Sequence, residues 1–238
     1  MTEVRVALSE EINRYLDSLV RTGPFASKAE LVRAALVSYA SEAGPMAQGF
    51  DLETRFAPNG RVYQLEYARE CARRGSPGVG AVYDGGVLLA ATATAGKLVR
   101  SIPKIRRIEE RLAILASGFV ADAYVAAQRA RQAKPQSTED ALDLLVSLYW
   151  EHSADRTKRP MAAGLLIASA LDGDGRLFYL DPSGALIEYE AAAVGDDADE
   201  RMEALEKRYR KGTARETERL LLDVLGKPPK VELLKVSA

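Results

Sequence analysis

Residue types that carry chemistry are scarce in this chain, and their spacing suits little of it. Cys71 is the only cysteine and His152 the only histidine. A Cys/His zinc site, which needs about four such ligands, cannot be built from them, and no intrachain disulfide can close. A single cysteine fits a reducing compartment. Asp172-Gly-Asp-Gly175 has the opening of a calcium loop but lacks the glutamate that the twelfth position requires, so it reads as a hairpin turn. His152 reads as a solvated residue near a helix C-terminus, where a cation suits the dipole. Trp150 reads as packed at the same helix end, and Lys207–Lys211 as a solvated helix face. No metal and no cofactor is expected.

The totals narrow the classes further. With 238 residues the chain has room for one large domain, or a medium domain and a small one. A 47% hydrophobic and 28% charged balance is that of a soluble globular protein. The formal net charge of −1 supplies no global basic field for nucleic acid. The N-terminus lacks a basic-then-apolar signal, and no apolar run approaches membrane-spanning length. The sequence therefore predicts a cytoplasmic protein with no membrane segment.

The elements that must position any site divide at residues 44–49, a Gly- and Pro-containing linker. Before it, residues 2–9 alternate, with Val4, Val6 and Leu8 on one side and Glu3, Arg5 and Ala7 on the other, as in a strand that needs a partner. Ser9 is placed to cap a helix that carries Ile12, Leu16, Leu19 and Val20 and ends at Gly23-Pro24. Ser27-Lys-Ala-Glu30 is a capping box for a second helix, with Leu31, Val32, Ala35, Leu36 and Tyr39 on one face. This strand–helix–helix unit, residues 1–43, resembles a ribbon-helix-helix domain, the obligate dimer of many small prokaryotic repressors. The resemblance implies DNA contacts at Arg5 and Ala7 beside Glu3, with Ser27 and Lys28 as a phosphate clamp. Five basic residues against six acidic ones in this unit make a weak electrostatic footprint. DNA reading and a plain dimerisation clip both stay open.

Beyond the linker the most telling stretch is Arg55–Arg69. Pro58-Asn59-Gly60 is a tight turn. A helix follows from about Val62, with Val62, Leu65, Ala68 and Ala72 at helical spacing, closed by Arg73, Arg74 and Gly75. The wording resembles the FSPDGRLYQVEYA signature of 20S proteasome α-type subunits. Ser117-Gly-Phe-Val-Ala-Asp122 and Asp181-Pro-Ser-Gly-Ala-Leu-Ile-Glu-Tyr189 are similar to further phrases of that family. Asp84-Gly85-Gly86 between two apolar runs is a hairpin signal. Strands are expected at 97–108, 111–116, 161–171, 176–180 and 231–236, helices at about 118–133, 137–152, 199–211 and 213–225. That order suits the four-layer αββα Ntn-hydrolase sandwich of the proteasome type over residues 50–238, an α+β fold preceded by the small N-terminal domain.

The resemblance also assigns residues. Asp51, Pro58 and Tyr67 match the gate and turn residues of α subunits, although Phe50 and Leu52 replace the Tyr and Arg that flank the aspartate. Aligned on the Gly78-Val-Gly80 strand, Ser76 falls at the nucleophile position of catalytic members, which use an N-terminal threonine with its own amine as base. Lys104 falls at their lysine, but Thr92 stands in place of their aspartate. Ser76 follows Gly75 inside the chain, so its nitrogen is an amide. The resemblance thus implies a chain without catalysis. Self-processing before Ser76 would discard residues 1–75. In α-type members the matching lysine lines a pocket that receives the C-terminal carboxylate of activator proteins. Here the phrase is Ser101-Ile-Pro-Lys-Ile105, with Gly75 at a pocket glycine. A surface lysine at a strand start is the plainer reading.

Partners implied are further copies in a seven-membered ring, proteasome β subunits, and the C-termini of activator ATPases. An odd ring cannot satisfy modules that pair two by two. Two rings facing each other through their N-terminal modules can, which predicts fourteen subunits. The alternative is a DNA-binding regulator that uses the ring to multiply a weak reader.

Overall fold

The computed structural model describes residues 7–93, 98, 103–226, 228 and 230–237, with side chains outside 41–47. The chain forms two compact units, Met1–Leu52 with Phe56–Arg61, and Glu53–Arg55 with Val62–Ala238.

In the first unit the expected strand at residues 2–9, with Arg5, lies outside the described residues apart from 7–9, which form no regular structure. Helix α1 spans Glu10–Thr22, and Ser9 caps it by accepting the Ile12 N–H at 3.3 Å. Helix α2 spans Lys28–Ala47. Its start is held by Ser27 Oγ, which accepts the Glu30 N–H at 3.2 Å, and by Glu30, which accepts the Ala26 N–H at 2.8 Å. The helix continues through Gly44 and Pro45, where a linker was expected. A proline this close to a helix end removes one backbone donor, and the helix stops within two residues. Leu16, Leu19 and Val20 are half-buried and Leu31 is buried. Leu36 and Tyr39 remain 62% and 70% exposed, and Ile12 49%. The Pro58 turn forms as its residues predict. The Gly60 N–H reaches the Ala57 carbonyl at 2.8 Å, and Gly60 takes φ +81°, which costs glycine nothing.

The second unit is built in four layers. Strands β1 (Gly78–Tyr83) and β2 (Gly86–Thr92) form a hairpin in which Tyr83 faces Gly86 across an Asp84-Gly85 turn. β3 (Ile105–Glu109) and β4 (Leu112–Gly118) follow, then β5 (Ala163–Ser169), β6 (Arg176–Leu180), β7 (Leu186–Tyr189), β8 (Ala191–Val194) and β9 (Val231–Ser237). One sheet has the order β8-β1-β2-β9 and the other β3-β4-β5-β6-β7, with every pairing antiparallel. β3 starts at Ile105, just after Pro103, which cannot donate to a ladder, and the part of the expected strand at 97 and 99–102 lies outside the described residues.

The central strands β1, β2, β4 and β5 are buried on both faces, which is why they read as continuous apolar runs. Leu89, Leu115, Leu166 and Leu177 fill the space between the sheets. Helices α4 (Val120–Ala133) and α5 (Thr138–Ala154) cover the five-stranded sheet through Ala126, Ala130, Leu145 and Tyr149. Helices α6 (Ala198–Arg208) and α7 (Ala214–Val224) cover the other through Leu205 and Leu221. α5 and α7 both open with full capping boxes, Ser137 with Asp140 and Thr213 with Glu216. Trp150 is 63% exposed, so it is not packed at the end of α5 as expected.

Helix α3 (Tyr63–Arg73) lies on β4 and β5 and buries Tyr63, Ala68 and Ala72. The approach is close. A Cβ on Gly118, at φ +110°, would sit 2.8 Å from the Ala72 Cα. Ser117 Oγ donates to the Ala72 carbonyl at 2.9 Å.

Candidate functional site

The helical part of the Arg55–Arg69 phrase and the two later phrases meet in the second unit. Arg69 on α3 forms a two-pronged pair with Asp181, with Nε to Oδ2 at 2.9 Å and Nη2 to Oδ1 at 3.2 Å, and Nη2 also reaches Ser183 at 3.1 Å. The signature helix is thereby tied to the Asp181–Gly184 turn. The Arg69 guanidinium and the Ser183 N–H and hydroxyl hold the Asp181 carboxyl below its usual range, against a burial that pushes the other way. Asp122, in the first turn of α4, is buried. It accepts two hydrogen bonds from Arg159, at 2.6 and 2.7 Å, and the Ala162 N–H at 2.7 Å. Arg159 stacks over Phe119 at 5.0 Å. Gly75 closes the same region. A Cβ there would meet Ser117 Oγ at 2.1 Å and the Gly118 nitrogen at 2.3 Å, so only glycine fits.

Just after Gly75 the chain enters a cavity of about 120 Å³ lined by Ser76, Thr92, Pro103, Lys104, Arg106, Ala116, Gly118, Val120, Ala123 and Glu232. Ser76 precedes β1, Thr92 ends β2, Lys104 and Arg106 come from the start of β3, and Glu232 from β9. Lys104 Nζ donates to Ser76 Oγ at 3.1 Å. Glu232 does not pair with the ammonium. Its Oε2 accepts the N–H groups of Lys104 and Ile105 at 2.7 and 3.0 Å, anchoring β3 to the edge strand β9. Burial pushes the Lys104 ammonium down to about 7. The Glu232 charge opposes that, and Arg201 on α6 adds to it. Lys104 is thus a half-buried lysine at a strand start, with its ammonium turned to Ser76.

The sequence-derived pocket pair separates into neighbouring hollows. Gly75 lines a broad surface depression of about 820 Å³ with Tyr67, Cys71 and Phe119, while Lys104 lines the smaller cavity. Gly118 and Val120 border both. Tyr67 is exposed beside Gly75. Asp51 and Pro58 belong to the first unit. Of the residues marked for DNA, Arg5 lies outside the described residues and Ala7 is exposed. Ser27 serves as a helix cap. Lys28 Nζ binds Asn13 at 2.7 Å and Asp17 at 2.8 Å within its own unit, which leaves one of its three N–H groups for a phosphate.

Arg106 and Glu232 escaped sequence reasoning. Arg106 sits in an alternating strand start that reads as solvated, and Glu232 lies 128 residues from the amide it accepts. No group of three or more His, Cys, Asp or Glu side chains converges among the described residues. No helix there is long and apolar enough to cross a membrane.

Comparison with known proteins follows the same lines. A family model described as proteasome subunit matches residues 72–227. The proteasome subunit alpha of Methanocaldococcus jannaschii is 43% identical over 169 residues, covering 66% of this chain and 65% of that protein. The counterpart in Methanoregula boonei is 38% identical over 168 residues, covering 66% and 70%. That of Methanobrevibacter smithii is 36% identical over 169 residues, covering 66% and 68%. The chain thus spans about two thirds of the length of these curated relatives, and the family match leaves out the N-terminal unit.

Proposed function

The chain belongs to the proteasome subunit family, and on that premise we propose that it is an α-type component that builds rings and carries no peptidase of its own. The observation that carries the reading is the setting of Ser76. Its nitrogen is locked in the peptide bond to Gly75, which itself is clamped against Ser117 and Gly118. The hydroxyl accepts from Lys104, but Thr92 stands where an acidic partner would be needed, and the α-amine that N-terminal nucleophiles use as base is not available. The same cavity suits docking. A desolvated lysine gains most from a carboxylate, which supports Lys104, with Gly75 nearby, as the place where an activator's C-terminus binds.

In this reading the chain stacks on a ring of β subunits or on a second ring of its own kind, in the cytoplasm. The N-terminal unit serves as the clip between rings. Ile12, Leu36 and Tyr39 give it apolar surface that a second copy would cover. The gate residues Asp51, Pro58 and Tyr67 stay assigned by resemblance to the entry turn. The DNA reader gains no support from Lys28, which is occupied by Asp17 and Asn13.

Electron microscopy of the purified protein, with intact mass spectrometry, tests the proposal. Sevenfold rings of an uncleaved 25.9 kDa chain are expected. A monodisperse monomer, or a chain that has lost residues 1–75, would contradict it.

A further inference from the structure

The second unit holds another cavity, of about 180 Å³, which shares no residue with the one that Lys104 lines. Small side chains make the room: Ala72 near the end of α3, Gly164 on β5, Ala192 on β8 and Ala198 at the start of α6. Gly164 leaves the space in which the Tyr179 hydroxyl stands, since a Cβ there would lie 2.9 Å from that oxygen. The rest of the wall is aromatic and sulfur-bearing. Met202 is held in place, its sulfur accepting the Ala193 N–H at 3.1 Å. Tyr179 and Tyr189 line the cavity from β6 and β7. Ser117 is already engaged, because its hydroxyl donates to the Ala72 carbonyl. Among the described residues neither tyrosine hydroxyl takes part in a hydrogen bond, so both are open to the cavity. Burial, with the Asp181 charge nearby, pushes the Tyr179 hydroxyl up to about 12, and it stays a neutral donor and acceptor at physiological pH. At the rim Arg73 and Asp199 face each other at 3.7 Å, both mostly exposed, an ion pair that is easily parted.

We propose that this cavity binds a small neutral phenol, one aromatic ring whose hydroxyl pairs with that of Tyr179. Size sets the first limit. An apolar cavity of roughly 150 Å³ holds one benzene, so about 180 Å³ takes one ring with a single substituent. Pockets for nucleotides and other larger ligands start at roughly 300 Å³. Alanine methyls, a thioether and tyrosine faces suit the edge and face of an aromatic ring. The only charged side chains in the wall, Arg73 and Asp199, cancel, which favours a neutral ligand over an ion. All of the walls come from one copy of the second unit, so the site needs no ring. Because α3 forms one wall, an occupant would add to the hold of that helix on the sheet.

The test is methyl NMR on the full chain labelled at alanine and methionine, titrated with phenol, toluene and cyclohexanol. Phenol is expected to give saturable shifts at Met202 and Ala192. Toluene lacks the hydroxyl and cyclohexanol the aromatic ring, and each is expected to bind about fivefold more weakly. Tyr179→Phe should bring phenol down to the level of toluene. Ala198→Leu, which fills the cavity from a half-exposed position, should abolish binding of all three. Thermal unfolding confirms that both variants are folded. No saturable shift at Met202 and Ala192, or binding that ignores Ala198→Leu, overturns the site. Binding that is lost in Ala198→Leu but unchanged in Tyr179→Phe, with toluene as tight as phenol, overturns the phenol as its ligand.

Discussion

Asp122→Ala is expected to cost about 2–3 kcal/mol of stability, a substantial part of the margin by which a domain of ordinary stability stays folded. Asp122 is buried in the second unit, where it receives both arms of Arg159 and the Ala162 N–H. Truncation leaves that N–H without a partner and unties Arg159, which stacks on Phe119 and is 53% exposed, from the body of the fold. The damage reaches past one pair. Ala162 adjoins β5, and its carbonyl accepts the Phe119 N–H at 2.9 Å, so the joint between β4, α4 and β5 loosens as a whole. Asp122→Asn keeps an acceptor for Ala162 and should fall between wild type and alanine. Urea unfolding at neutral pH measures both. A loss under about 1 kcal/mol for the alanine variant would show that the network is ornamental.

Lys104→Met should have the opposite sign. The lysine is held near 7 in the fold against 10.5 in an open chain, chiefly by burial, with Glu232, Arg201 and Arg106 the charged groups that face it from β9, α6 and β3. A cation depressed in this way binds fewer protons folded than unfolded, so stability rises with pH between 7 and 10.5. Below 7 the full cost of the buried charge is present, and above 10.5 it is gone. At about 1.4 kcal/mol per pH unit the ceiling is about 5 kcal/mol. Water entering the cavity and the lost bond to Ser76 reduce this to about 2–4 kcal/mol at pH 7. Methionine should therefore stabilise the chain near neutrality, and the gain should shrink toward pH 10. A variant that is less stable at every pH, or a difference that does not move with pH, would sink this account. A destabilising residue kept in a cavity is what a binding site requires, because the charge is compensated only when an anion arrives.

Much of the fold could be read from local chemistry. Pro58-Asn59-Gly60 and Asp84-Gly85-Gly86 are turns for reasons written in single residues, and doubly buried strands announce themselves as apolar runs. The misses have equally local causes. Ala191–Val194 passed unnoticed as a strand because three alanines carry little β preference. It is a strand because β1 offers an unpaired edge, with Gly80 opposite Ala192. Pro45 looked like a stop, yet a helix tolerates it so near its end. The site was half visible. Lys104 and Ser76 stood out by resemblance, but their 3.1 Å contact did not. Arg69 with Asp181, 112 residues apart, and Asp122 with Arg159, 37 apart, are pairings of tertiary structure that no local pattern encodes.

The most direct test of the central claim is the native mass of the full chain beside that of a chain lacking residues 1–45. Rings clipped together by their N-terminal units predict a tetradecamer that truncation halves or dissolves. A full-length dimer that truncation converts to a monomer would mean that the proteasome-type domain does not form rings by itself, and the proposed function would fall with it.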